Sequence, residues 1–337
     1  MNTKQISIQN LFLLALSFLL TTNAVFSQKS IEDLATFKDS KWNKIVKSHK
    51  SGLNTIPAVE GLLDIEVLEK ENLPNPKNVG VLTFQLWDES ITKSTKAGNW
   101  TYYKKYFITP SGSNSISNKL IGIMLPQIKD EFNKSGVELF EPNEFIKSDE
   151  QRKIYNEGKD KIELSGILKV FAGGFLDKLQ GNRVGQGSLS ADGYEFYPIT
   201  ASLIASDFKS PAAIGLVTEE LGLDSSLIIS VNVSIEKGGK ALMFRGMEFA
   251  LIGPIADDES IEYKGKIGAK TMNYYREGVV YSTAYFEVED IMIGKMDKKT
   301  GNIEEWYLDG FDMLTRRLAE DLVFGLEKFK KLDTSKK

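Results

Sequence analysis

Leu227-Ile228-Ile229-Ser230-Val231-Asn232-Val233 reads as the strongest strand of the chain. It is rich in β-branched residues, and its apolar run marks a strand buried inside a sheet rather than laid on its surface. Lys237-Gly238-Gly239-Lys240 follows as a hairpin turn into a second strand over Ala241–Ile252. Just upstream, Ala212–Leu221 reads as a helix closed by Gly222, because glycine tolerates the positive φ of a C′ position.

Working outward, Val79–Phe84 has the composition of another buried central strand. Trp100–Ile108 is an aromatic-rich strand ended by Pro110. Ser117 is the expected cap of a helix reaching Lys134, with Leu120, Ile123, Met124, Ile128 and Phe132 on one face and Pro126 kinking or dividing it. Gly136 stops that helix, Val137–Phe140 reads as strand, and Pro142–Gly158 as helix. Val279–Ile293 alternates as a strand. A helix from Leu308 to Lys330 closes the chain, its stripe formed by Phe311, Leu314, Leu318, Leu322, Leu326 and Phe329. Strands alternating with helices, then a hairpin, predict an α/β or α+β fold: a mixed central sheet with flanking helices and a C-terminal packing helix.

Three segments are expected. Residues 1–27 have the order of a cleaved secretory signal: Lys4, an apolar run from Leu11 to Leu20, then Val25-Phe26-Ser27 before the cut. That run is too short to span a bilayer. Residues 28–76 form an N-terminal helical segment and linker. There Ile31, Leu34, Phe37, Trp42, Ile45 and Val46 recur at helical spacing, and Leu73-Pro74-Asn75-Pro76 holds the backbone extended. Residues 77–337 form a single α/β domain, with a poorly legible, glycine-rich insertion at about 146–210.

Composition excludes several function classes. The net charge is −4 and 42% of residues are apolar, so the chain is globular and offers no basic face for nucleic acid. There is no cysteine, hence no disulfide, no thiolate nucleophile and no lipidated residue after the signal. The one histidine, His49, lies in the helical reading of Ile31–Lys50 among lysines, as a solvated surface residue does. With one histidine and no cysteine, the usual zinc, copper and haem ligand sets are missing, and no cofactor or metal is expected. No G-x-S-x-G elbow is present to serve a Ser-His-Asp triad.

The remaining motifs have plain structural readings. Gly181-Asn182-Arg183-Val184-Gly185-Gln186-Gly187 lacks the Lys-Ser/Thr of a phosphate loop and the third glycine of a dinucleotide fingerprint, so it is a loop. Asp257-Asp258-Glu259 lacks calcium-loop spacing and reads as a solvated turn. Glu287 and Glu289 share one face of a half-exposed strand; they are the only carboxylate pair worth naming as catalytic candidates. Tyr102, Tyr103, Tyr106 and Phe107 are candidates for a stacking surface that recognises sugar or peptide, although aromatics also simply favour strands.

Asp297-Lys298-Lys299-Thr300-Gly301-Asn302-Ile303-Glu304-Glu305-Trp306 has the chemistry of a tight turn. Asp297 accepts from the amides ahead of it, and Gly301 supplies positive φ. A strand, then Asp-x-x-Thr-Gly-x-Ile, then an apolar closing helix resembles the end of the periplasmic α/β domain of the curli-secretion-channel and penicillin-binding-protein-activator type. Val79–Phe84, Ser117–Gly136, Val137–Phe145 and Ala213–Val233 are similar to that family's earlier elements in the same order. The resemblance loosely covers residues 79–310. It departs from the family in lacking a lipidated cysteine and in having no counterpart for residues 146–210, and no pore-forming segment is carried over.

The resulting expectation is an exported, non-enzymatic binding or assembly module of the cell envelope, periplasmic or extracellular. Its partners would be another envelope protein, or a glycan or peptide, with no nucleic acid and no membrane span in the mature chain. The alternative is a carboxylate-based hydrolase acting on glycan or peptide. A third reading is a component held at the outer membrane through a partner.

Overall fold

The computed structural model describes residues 30–49, 66–67, 76–90, 93–97, 100–104, 108–162, 189–206, 210–236, 238–254, 261–267, 270–276, 278–297 and 300–334. In chain order, helices α1 (Ile31–Ala35) and α2 (Asp39–Ile45) lead into strand β1 (Lys47–His49), followed by the two-residue strand β2 (Glu66–Val67). Strand β3 (Asn78–Asp88) comes next, then the hairpin of β4 (Lys93–Ala97) and β5 (Trp100–Lys104), helix α3 (Pro110–Lys134) and strand β6 (Glu138–Phe140). Helices α4 (Pro142–Phe145) and α5 (Asp149–Glu157), a 3₁₀ turn (Gly158–Lys161), strand β7 (Leu189–Ser190) and helices α6 (Ala201–Ser206) and α7 (Ser210–Glu220) occupy the middle of the chain. Strands β8 (Ser225–Ile235), β9 (Ala241–Pro254), β10 (Ile261–Ile267), β11 (Lys270–Arg276), β12 (Gly278–Met296) and β13 (Ile303–Trp306) then lead to helix α8 (Phe311–Thr334).

The main sheet runs β1-β12-β9-β8-β3-β6, with β13 added to β12 and β7 to β3. The β8–β3 and β3–β6 pairs are parallel; the other ladders are antiparallel. This is a mixed α/β sheet with a C-terminal helix. β4–β5 and β11-β10-β2 form two smaller sheets apart from it.

Both faces of the main sheet are covered, which is why β3 and β8 read as continuous apolar runs. On the first face, α3 and α8 supply Ile116, Leu120, Met124, Ile128 and Phe132, and Phe311, Leu314, Leu318, Leu322 and Leu326, against Leu227, Ile229, Val231 and Val233. The second face carries Ile214 and Val217 of α7 and Leu221 just after it, with Tyr155, Tyr197 and Ile199. A register shift between Val81 and Thr83 changes the phase of β3. Val79 and Val81, then Phe84 and Leu86, join the first core, whereas Leu82 joins the second.

The N-terminal residues from 30 to 49 are built into this arrangement. Ile31, Leu34 and Trp42 belong to the first core. The Trp42 indole donates to Asp321 Oδ2 at 2.6 Å, and Arg317 of α8 lies 4.5 Å over its ring. His49 is not helical: the chain turns extended at Val46, and Lys47–His49 pairs with Thr283–Tyr285 at the sheet edge. An edge ladder supplies backbone partners that local propensity does not foresee.

The α3 helix differs from expectation at its start. Thr109, not Ser117, is the cap, and its hydroxyl accepts from Gly112 N–H; Ser117 is a buried residue inside the helix. Pro126 does not divide it. Met124, Leu125 and Ile128 are buried on either side of the proline, so packing carries the helix through one lost backbone bond. Gly136 and Gly222 both adopt φ +72 as helix terminators. Among the described residues, no helix is long and apolar enough to cross a membrane.

Candidate functional site

The chain builds outward from β3 in opposite directions. The crossover from β3 through α3, on the first face, brings β6 to one edge of β3, and the later crossover from β6, ending in α7 on the second face, brings β8 to the other. The carboxyl ends of the parallel strands β3 and β8 therefore flank a topological switch point, where the covering segments diverge and open α/β sheets place ligands. Asp88 and Val233 pair at this end.

The residues that gather there are polar, although they come from apolar strands. Directly paired residues share a sheet face, and the register aligns Gln85 with Ser230, Ser230 with Glu248, and Glu248 with Tyr285. One row of hydrogen-bonding side chains thus crosses four strands beneath the second-face cover. The next row is Trp87, Asn232, Gly246 and Glu287. Gly246 is required because a Cβ there would stand 2.3 Å from the Phe286 carbonyl oxygen.

Glu248 is buried and engaged at both oxygens. Oε1 accepts from Asn232 Nδ2 at 2.9 Å, and Oε2 accepts from the Ser202 amide at 2.8 Å. A buried carboxylate is tolerable only with such partners. Burial holds the Tyr285 hydroxyl above its usual pKa, and the charges of Glu248 and Glu287 push it further the same way.

Asp88 pins the base of the excursion that carries β4 and β5. One of its oxygens accepts from the Ser90 amide at 3.0 Å and from the Ser90 hydroxyl; the other accepts from the Ile108 amide at 2.8 Å. Ser90 Oγ in turn accepts from Ile235 N–H at 3.0 Å, joining the clamp to the end of β8. Burial raises the Asp88 carboxyl above the usual range, opposed by the hydrogen bonds from Ser90 and Ile108. At the rim, Arg245 bridges Glu89 at 3.2 Å and Asp290 at 2.7 Å.

Glu287 and Glu289 are both exposed. Strict alternation would place them on one face, but the ladder jumps from Glu287–Gly246 to Ile291–Phe244. Residues 288–290 therefore bulge opposite Arg245. Val288 packs against the first core as Phe286 does, and Glu287 lies on the face of Glu248, one row away. Of the aromatic candidates, Tyr102 and Tyr103 are in β5, paired with Thr95 and Ser94. Tyr106 and Phe107 lie outside the described residues, as do Gly181–Gly187, Asp257–Glu259 and residues 1–29. Among the described residues, no group of three or more His, Asp or Glu side chains is placed to hold a metal.

The Asp297 turn is as its residues suggest. Asp297 Oδ1 accepts from Thr300 N–H at 3.1 Å, its carbonyl accepts from Gly301 N–H at 2.8 Å, and Gly301 has φ +74, so the turn joins β12 to β13. The row through Gln85, Ser230 and Glu248 went unread in the sequence. Its signal was the recurrence of Ser226, Ser230, Asn232 and Ser234 at every second or fourth position of an apolar strand, with a lone Glu248 in the next strand. Comparisons with protein-family models, with curated proteins and with solved structures find nothing that matches this chain.

Proposed function

We propose that the protein is an exported, non-enzymatic binding or assembly module of the cell envelope, with its ligand seat at the β3/β8 switch point. The carrying observation is how its buried carboxylates are used. Glu248 and Asp88 accept donors at both oxygens, from Asn232, Ser202, Ser90 and Ile108. A general acid or base needs an oxygen within reach of substrate; these two carboxylates hold the walls of a site together. Export rests on the signal pattern of residues 1–27. The envelope assignment draws support from the order of elements on which the resemblance stands: β3–α3–β6, the α7–Gly222–Asp224–β8 unit, and the Asp297 turn.

The hydrolase alternative keeps one observation in its favour. Glu287 is the diagonal neighbour of Glu248 across adjacent strands and shares its face, so two carboxyl groups lie side by side as a glycosidase pair requires. One assay decides between them. Purified protein is incubated with peptidoglycan and with a mixed peptide substrate, and new reducing ends and amino termini are measured. The module reading expects no release above that of the double variant Glu248→Gln/Glu287→Gln. Release by the wild type that the double variant loses would establish the hydrolase. Export is tested separately by fractionation and by mass spectrometry of the mature amino terminus, expected at Gln28.

A further inference from the structure

We infer that the second-face end of β3 seats one secondary amide group of a neutral ligand, held between Gln85 Oε1 and Trp87 Nε1. The inference rests on the binding-module reading and names the ligand chemistry of the same site. Gln85 and Trp87 are buried, at 0% and 3% exposure, and both Gln85 Oε1 and Trp87 Nε1 lack a hydrogen-bond partner among the described residues. Buried polar atoms in this state are few in native proteins, and each calls for an explanation.

The missing partner has a defined chemistry. Gln85 Nε2 donates to the Ile199 carbonyl, which can only accept, so the amide orientation is fixed and Oε1 is the atom left needing a donor. The indole Nε1 can only donate, so Trp87 needs an acceptor. The two residues are two positions apart on one strand face, about 7 Å along the strand. A trans secondary amide presents N–H and C=O in opposite directions from one plane, which suits a donor and an acceptor arranged this way.

Charge and shape narrow the ligand further. Glu248, Glu89 and Asp290 surround the strand ends, and the nearby cation Arg245 already bridges Glu89 and Asp290. A carboxylate or phosphate would meet a field of its own sign, whereas a neutral amide does not. The Phe196 ring, 5.5 Å from that of Trp87, offers an apolar wall for the group flanking the amide. The segment 191–200 packs over Gln85 and Trp87: Thr83 Oγ1 donates to the Glu195 carbonyl, Gln85 Nε2 donates to the Ile199 carbonyl, Tyr155 Oη accepts from the Glu195 amide, and Tyr197 and Ile199 are fully buried.

The test uses the indole signals of ¹⁵N-labelled full-length mature protein. Trp87 is one of four tryptophans, and its signal is assigned by its loss in Trp87→Phe. N-acetylglucosamine and N-acetylglycinamide are each titrated into the tens of millimolar. The expected result is a saturable shift of the Trp87 indole N–H, with the other three indoles unmoved and affinity at least tenfold weaker in Gln85→Leu. A response to the sugar alone identifies a glycan source, to the capped glycine alone a peptide source, and to both an amide read without its carrier. If neither probe moves the wild-type signal, the inference is overturned and an internal water is the partner of both atoms. Equal affinity in a Gln85→Leu variant with native near-ultraviolet circular dichroism also overturns it. Because the titration uses purified protein, its failure leaves export and the absence of hydrolysis to stand or fall on their own assays.

Discussion

Truncating the apolar stripe of α8 tests whether that helix completes the core or waits for a partner. Leu318 and Leu322 have no solvent exposure and lie in the first-face core with Phe244, Leu227 and Ile229. Leu→Ala removes three carbons, about 2.4 kcal/mol of transfer free energy at ~0.8 kcal/mol per methylene. The sheet and α3 are anchored on their own contacts and cannot fully close the gap, so the cavity adds of the order of 1 kcal/mol. Leu318→Ala and Leu322→Ala should therefore each cost about 3–4 kcal/mol. Met313→Ala, on the same helix but 44% exposed, controls for helix propensity and should cost less than about 1 kcal/mol. Urea melts followed by circular dichroism give the three values, provided the slopes agree with that of the wild type. Losses below about 1 kcal/mol for both leucines would refute the reasoning and turn the stripe into a docking surface.

Gly158→Ala should destabilise by about 1–3 kcal/mol in a thermal melt, since the new Cβ would stand 2.6 Å from Tyr197 Oη and 2.9 Å from Val217, both fully buried. Gly301→Ala has open space around it but φ +74, so its cost is backbone strain alone, about 1–2 kcal/mol, and Gly301→Asn should recover much of that. The Glu141 backbone amide, with Lys129 assisting, holds the Glu144 carboxyl below its usual range. A depressed carboxyl gives stability above its unfolded pKa and loses it as pH falls through the folded one. The stability gap between wild type and Glu144→Gln should thus be constant from neutral pH to about 5 and shrink below about 4; a gap that widens in acid would contradict this.

The α7–β8–β9 unit was legible because each of its signals is local. An apolar run marks the strand, Gly222 ends the helix before it, and the Gly238–Gly239 turn fixes the hairpin after it. The Asp297 turn and the stripe of α8 were legible for the same reason, since turn chemistry and helical spacing act over a few residues. His49 was not, because a three-residue strand has no period of its own and exists only by pairing with Thr283–Tyr285. Nor was the bulge at residues 288–290, where one residue of β9 faces three of β12.

The sequence by itself determined the class of the fold, its buried strands, its turns and the absence of cysteine chemistry, all of which follow from the nature and spacing of near neighbours. Only the tertiary structure decided which polar residues meet. Gln85, Ser230 and Glu248 belong to three strands separated by long crossovers and a hairpin, and a shift of one residue in any ladder would turn one of them to the opposite face. Register is set by the packing of whole faces against α3, α7 and α8, so the site is a property of the assembled sheet.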